Sequence, residues 1–142
     1  MIIRPASDQD AQAIYMLNRD GLGYDYPLED TRRRLKLVLA KAGNRIFVAQ
    51  LEGRVVGYIH AADYECSYVG SLKDILALAV DEKERGHGIG RALLKAAEDW
   101  ARESGATGVR LNSGMERENA HRFYEACGYI NRKNQKNFIK RF

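Results

Sequence analysis

Apolar residues recur at two periods along this chain, and the switches between them mark its elements. Ile2 to Ala6 is a short strand. Ser7 stands three residues ahead of Asp10, the spacing of a capping box, before Ala11, Ile14, Tyr15 and Leu17 at helical intervals. Gly21, Gly23 and Pro27 break that helix, and residues 28–42 resume it through Leu35, Val38 and Leu39. Residues 45–64 read as a hairpin turning at Glu52-Gly53, and residues 74–80, DILALAV, as a further strand. After a glycine-rich stretch, Ile89, Leu93, Leu94, Ala97, Trp100 and Ala101 share one face of a long helix that ends near Gly105. Residues 108–112 form a strand, and residues 118–127 a helix capped by Asn119 and closed by Gly128. Residues 134–142 are expected to end the chain as a strand, with a short extra strand near Tyr129. The expected order is βααβββαβαβ.

The 142 residues suffice for one real core, and neither a linker nor an internal repeat divides them, so residues 1–142 are expected to form a single domain. With 45% hydrophobic and 30% charged residues, the profile is that of a globular chain. No apolar run approaches the roughly 18 residues of a membrane span, and the first ten residues lack a signal-peptide core. Cys66 and Cys127 show no metal-like or CxxC spacing, which reads as reduced thiols in a cytoplasmic protein. The net charge of +4 suits an anionic ligand. The basic residues do not cluster with stacking aromatics, so no nucleic-acid partner is expected. His60 and His121 lack partners at metal spacing, and no metal is assigned.

The stretch ERGHGIGRALL, residues 84–94, joins strand to helix through Gly86, Gly88 and Gly90. A helix start presents unpaired N–H groups and the positive end of a dipole, and glycines let an anion come close to the backbone. A plain connecting turn would have the same composition. Two phosphate motifs fail here. A P-loop needs Lys and Ser or Thr after the last glycine, where Arg91 and Ala92 stand, and no register satisfies GxGxxG. What fits is R-x-x-G-x-G, with Arg85, Gly88 and Gly90. In this loop, in LALAV before it, in EDWARESGA after it and in ENAHRFYEACGY near the end, the sequence resembles the GNAT superfamily of acyl-CoA-dependent N-acetyltransferases. The N-terminal IIRPASDQDAQAIYML and the hairpin VAQLEGRVVGYI also resemble that family, so the likeness covers most of the chain outside residues 18–45.

The resemblance implies an α/β fold with a mixed, mostly antiparallel sheet, flanked by helices and splayed centrally to admit acyl-CoA. It implies that the backbone of Arg85, Gly86, His87, Gly88, Ile89, Gly90 and Arg91 grips the pyrophosphate of acetyl-CoA. Pantetheine would lie along Leu78, Ala79 and Val80, with the Leu78 N–H polarising the thioester carbonyl. Tyr124 stands where the family places the tyrosine that protonates the departing thiolate. A packed core could equally use Tyr124, since Phe123 and Cys127 share its face. The base departs from the pattern: many relatives carry an acid where Leu76 and Ala77 stand. Asp74, two residues earlier and therefore on the face of Leu76, is the nearest carboxylate on the strand; Asp63, Glu65 or a water relay are alternatives. Where relatives have an asparagine that contacts the cofactor, this chain has Arg117, and Asn119 lies close by.

The expected activity is direct transfer of an acetyl group from acetyl-CoA to a primary amine, that of a small molecule. A protein N-terminal or lysine acetyltransferase and a non-catalytic acyl-CoA sensor are the alternatives. Residues 18–30, with Tyr24, Asp25 and Tyr26, would line the acceptor end. Asp20, Asp25, Glu29 and Asp30 make that stretch acidic, suiting an acceptor with ammonium groups, although a polar surface loop would look the same. Dimers are common in such families, and a homodimer fits the resemblance.

Overall fold

The computed structural model describes all residues, Met1–Phe142. They form two compact units, Met1–Leu111 and Asn112–Phe142. In the first unit, five strands lie in sequence order: β1 (Ile2–Pro5), β2 (Asn44–Leu51), β3 (Arg54–Tyr64), β4 (Leu72–Val80) and β5 (Gly108–Leu111). The first four pair antiparallel and β5 pairs parallel to β4, giving the mixed sheet. The β2–β3 turn falls at Glu52-Gly53, both with positive φ, as a tight hairpin requires.

One face of the sheet is covered by α1 (Ala11–Leu17) and α2 (Leu28–Leu39). Ala11, Ile14, Leu17 and Leu35 bury against Ile46 and Val48, which alternate along β2, and against Tyr58 of β3 and Ala79 of β4. The capping box at Ser7 forms: the Ser7 N–H donates to Asp10 Oδ2 at 2.8 Å and the Gln9 N–H to Ser7 Oγ at 3.3 Å. The chain does not unwind after Leu17. Residues Asn18–Leu22 continue as a single π-turn, which stops at Gly23 in the left-handed region. The opposite face carries α3 (Ile89–Glu103). A Cβ on Gly57 of β3 would stand 3.1 Å from Leu93 Cδ1 and 3.4 Å from Ile89 Cγ2, so the missing side chain lets α3 seat closely. Trp100 of the same helix receives two cations, with Lys73 Nζ 4.0 Å and Arg45 Cζ 5.5 Å from its ring centroid.

The second unit contains α4 (Glu118–Ala126) and no strand. The strands expected at residues 134–142 and near Tyr129 do not form. In NQKNFIKRF, alternation puts Phe138 and Phe142 on one face with Lys140 between them and Ile139 on the other with Arg141, so neither face is continuously apolar. Phe138 and Ile139 are both exposed. Helix α2 also ends earlier than its periodicity suggests, at Leu39 rather than residue 42.

Candidate active site

The sheet opens at β4. Its pairing with β5 runs from Leu72↔Gly108 to Ile75↔Leu111 and stops there, whereas β4 continues to Val80 against β3 alone. Across β3, Ala61 faces Ile75 and His60 faces Ala77, so Leu76 is an unmatched bulge residue. The bulge breaks the simple alternation that placed Asp74 and Leu76 on one face. Beyond it, the Asp81 N–H donates to Val56 O at 2.8 Å. Counting back along an antiparallel ladder, Ala79 and Ala77 also turn their backbone groups toward β3, and Leu78 and Val80 turn theirs to the open edge. Arg85 Nε donates to the Val80 carbonyl there, at 3.3 Å.

From this edge the chain enters a short 3₁₀ turn, Glu82–Glu84, capped by Asp81, whose Oδ1 accepts the Lys83 N–H at 3.0 Å. Arg54, across on the β2–β3 hairpin, clasps the turn through Asp81 Oδ2 and Glu84 Oε1, both at 3.0 Å. Gly86 and Gly88 then take φ of 84° and 80°, and nothing lies within 4 Å of where a Cβ would stand on either. The left-handed region costs other residues about 1–2 kcal/mol, so glycine fits both places. The first backbone bond of α3 is Ala92 N–H to Gly88 O at 3.0 Å, and no side chain caps the helix. The N–H groups of Ile89, Gly90 and Arg91 therefore stand at an open helix start carrying the positive end of the dipole. The His87 ring turns back to the Glu84 carbonyl, with Nδ1 at 3.2 Å.

The π-turn docks beside the same edge. The Tyr58 hydroxyl donates to Asn18 Oδ1, and the Tyr24 N–H to Asn18 O at 3.0 Å. A Cβ on Gly21 would stand 3.5 Å from Ala79 Cβ and 4.0 Å from Arg85 Nη2. Tyr24 and Tyr26 follow in an exposed segment, and Asp25 Oδ1 accepts from the Tyr15 hydroxyl at 3.4 Å. The acidity read from residues 18–30 is largely offset. Asp20 pairs with Arg19 at 2.9 Å, Glu29 with Arg32 at 3.6 Å and Asp30 with Arg33, partners supplied by chain neighbours or by one helical turn.

Asp74 lies in register with Arg110 of β5, and the two are joined at 2.8 Å, both half-buried. The Arg110 guanidinium also lies 4.3 Å from the Tyr64 ring centroid. Burial pushes the Asp74 carboxyl above its ordinary value, and the guanidinium works against that rise. Asp63 pairs with Lys73 instead, on the α3 face. His60 is held by Asn44 Oδ1, 2.8 Å from Nε2, and burial lowers its pKa to about 4.

In the second unit, α4 begins at Glu118 with Arg117 as its N-cap residue. Asn119, expected to be the cap, lies inside the first turn, and its Oδ1 accepts from Arg122. The C-terminus closes as a Schellman motif, with Gly128 N–H to Glu125 O and Tyr129 N–H to Tyr124 O, both at 3.0 Å. Tyr124 meets Phe123 and Tyr129 edge-on, with centroids 5.2 and 5.8 Å apart. Burial raises its phenol pKa, Arg117 opposes the rise and Cys127 adds to it.

An open strand edge running into an uncapped helix start offers backbone groups to an amide-bearing anionic ligand, and comparison with known proteins decides the family. The acetyltransferase (GNAT) family model matches residues 11–129. The chain belongs to the GNAT acetyltransferases. Members of this family transfer acetyl groups from acetyl-CoA, and so does this enzyme. It is 35% identical over 135 residues to an aminoglycoside N(6')-acetyltransferase type 1 of Stenotrophomonas maltophilia, covering 89% of this chain and 84% of that one. It is 30% identical over 128 residues to an aminoalkylphosphonate N-acetyltransferase of Salmonella typhimurium, covering 89% and 83%. Among solved structures, a putative acetyltransferase from Agrobacterium tumefaciens superposes with a TM-score of 0.87 at 23% identity, covering 99% of this chain and all of that one. An aminoglycoside N-acetyltransferase in complex with CoA gives 0.88 at 16% identity, covering 99% and 95%. These two establish the shared fold.

Sequence reading found the glycine loop and the strand before it. It missed Arg54, Arg110 and Asn18, whose partners lie 27 to 40 residues away in sequence. Only the strand register brings such pairs together, and no local spacing signals them.

Proposed function

We propose that this acetyltransferase, acting as one catalytic domain over residues 1–142, transfers acetyl directly to the primary amine of a small molecule. The outward-facing backbone of Leu78 and Val80, leading into the uncapped start of α3, is the observation that carries the reading. Pantetheine amides complete the β4 edge at Leu78 and Val80, with Ala79 between them held in the ladder to β3. The pyrophosphate takes the backbone N–H groups of Gly86, His87, Gly88, Ile89, Gly90 and Arg91, where the empty space beside Gly86 and Gly88 leaves room for it, and that of Arg85 only by leaving the Glu82 carbonyl it bonds at 3.4 Å. Arg85 gives up the Val80 carbonyl as the cofactor enters. Arg117 reaches a cofactor phosphate, and Asn119 supports that end of α4.

The Leu78 N–H meets the thioester oxygen, where negative charge develops as the amine attacks. Tyr124 protonates the leaving sulfur; its raised pKa keeps the phenol protonated at neutral pH. The Asp74 carboxylate takes up the proton released at the amine, directly or across water. Tyr24, Asp25 and Tyr26 line the acceptor end. The small-molecule reading is supported by the relatives named for aminoglycosides and aminoalkylphosphonates, each at 30% identity or more.

The test measures thiol released from acetyl-CoA against aminoglycosides, aminoalkylphosphonates, polyamines and peptides. Turnover with small amines supports the reading. Turnover with peptides alone assigns the enzyme to protein acetylation, and CoA binding without turnover on any amine makes it a sensor.

A further inference from the structure

We propose that His60 is the immediate acceptor of the proton lost by the incoming amine, ahead of the Asp74 carboxylate. The inference rests on the acetyl-transfer reading above. His60 stands opposite Ala77 in the β3–β4 register, next to the bulge at Leu76 where β4 parts from β5. By alternation it shares a sheet face with Tyr58 two residues before it, the face covered by α1 and α2. The π-turn and Tyr24 leave from that face, since Asn18 is tied to Tyr58. Ala77 contributes only a methyl group beside the ring. His60 is therefore the imidazole nearest in register to the strand position expected to hold the acyl carbonyl.

Its hydrogen bonding suits the task. Asn44 Oδ1 can only accept, so Nε2 carries the hydrogen and Nδ1 keeps its lone pair. Nδ1 has no hydrogen-bond partner in the protein, yet no buried side-chain nitrogen or oxygen lacks one, so Nδ1 reaches solvent. Burial alone keeps the ring neutral, and no charged group contributes to its shift. Asp74 and Arg110, the charged pair on neighbouring β4 and β5, are bound to each other. A pKa of about 4 makes His60 no weaker a base than an ordinary carboxylate. On protonation Nδ1 gains a hydrogen while Nε2 keeps its bond to Asn44, so no existing contact is lost.

The step balances. One ammonium proton moves to Nδ1, and the freed nitrogen pair forms the bond to the carbonyl carbon. The C–S bond breaks with its electrons on sulfur, which takes a proton from Tyr124. The second surplus proton on nitrogen restores that phenol, and the imidazolium releases the first to Asp74 or solvent.

Two measurements test this. His60→Gln retains a donor for Asn44 and removes the base, so kcat should fall about 10²- to 10⁴-fold with acetyl-CoA affinity unchanged. His60→Ala should recover part of that loss when imidazole is added, which a purely structural role would not allow. A His60→Gln enzyme within about twofold of wild type overturns the proposal, as does His60→Ala that imidazole does not rescue. If wild type acetylates no amine, the acetyl-transfer reading fails separately, and chemical modification still judges His60. Diethyl pyrocarbonate should acylate His60 in the free protein, read by peptide mass. A bisubstrate joining the CoA sulfur through an acetyl bridge to an aminoalkyl group should protect it. An unreactive or unprotected His60 rejects the assignment.

Discussion

The backbone N–H of Tyr129 donates to the carbonyl of Tyr124 at 3.0 Å, and the two rings meet edge-on at 5.8 Å. The helix closure and the aromatic contact thus fix the same phenol from two directions. Tyr124→Phe keeps both contacts and removes the donor alone. Turnover should fall about 10²- to 10⁴-fold with unchanged acetyl-CoA affinity by calorimetry and an unchanged Tm. Wild-type turnover in this variant would return Tyr124 to a packing role.

Gly88 separates backbone strain from charge. Gly88→Ala brings the cost of a positive φ, about 1–2 kcal/mol of stability, without a clash, since no atom lies within 4 Å of its Cβ. Gly88→Asp adds a negative charge where pyrophosphate is expected and should weaken CoA binding far more than Gly88→Ala does. Equal affinities for the two variants would remove the anion from this loop.

Asp74→Asn leaves Arg110 half-buried without its counter-charge, at a cost of about 1–3 kcal/mol in urea unfolding. If the carboxylate takes part in proton uptake, the loss in kcat/KM should be full above its raised pKa and shrink as pH drops through it, because the wild-type group is then itself protonated. The double variant Asp74→Asn, Arg110→Gln should regain stability without regaining activity. A pH–rate profile identical to wild type would confine Asp74 to holding the strands together.

In the segment proposed to line the acceptor end, Asp25 has no arginine partner, in contrast to Asp20, Glu29 and Asp30. Asp25→Asn combined with Tyr26→Ala should raise KM for the amine several-fold and leave the Kd for acetyl-CoA unchanged. Unaltered amine kinetics would move recognition to another surface.

His60 also makes a stability prediction with a definite sign. Its pKa is about 4 when folded and about 6.5 when unfolded, so the unfolded chain binds more protons between those values. The contribution is complete above pH 6.5 and is lost as pH falls toward 4, on the order of 3 kcal/mol in all. Denaturation midpoints across that window should decline more steeply for wild type than for His60→Gln. Parallel curves would show that the ring titrates normally.

Most elements were legible because their apolar periods are clean. Leu93, Leu94, Ala97 and Ala101 fall on one stripe and are all buried. The misreadings share a physical cause. Asn18 to Leu22 reads as a break because of Gly21 and Gly23, yet Tyr58, forty residues away, holds Asn18 in a wound turn. A period of two puts Asp74 on the face of Leu76, and the bulge interrupts that period. Four acids between residues 20 and 30 suggested a cation site, because one-letter patterning does not show that arginines answer three of them. The family likeness supplied the cofactor, which residue spacing alone could not, and the acid role proposed for Tyr124 rests on that likeness.

The edge of β4 beyond Ile75 has a consequence for how long the protein lasts in a cell. An unpaired strand edge is a place where other chains can add and where local opening begins. A coenzyme that fills it occupies the folded state alone, and at free concentrations about 100 times its Kd it adds about 2.7 kcal/mol to the unfolding free energy. Marginally stable proteins are cleared according to the fraction that opens. The abundance of this acetyltransferase would then rise and fall with the coenzyme A pool, before any change in its synthesis.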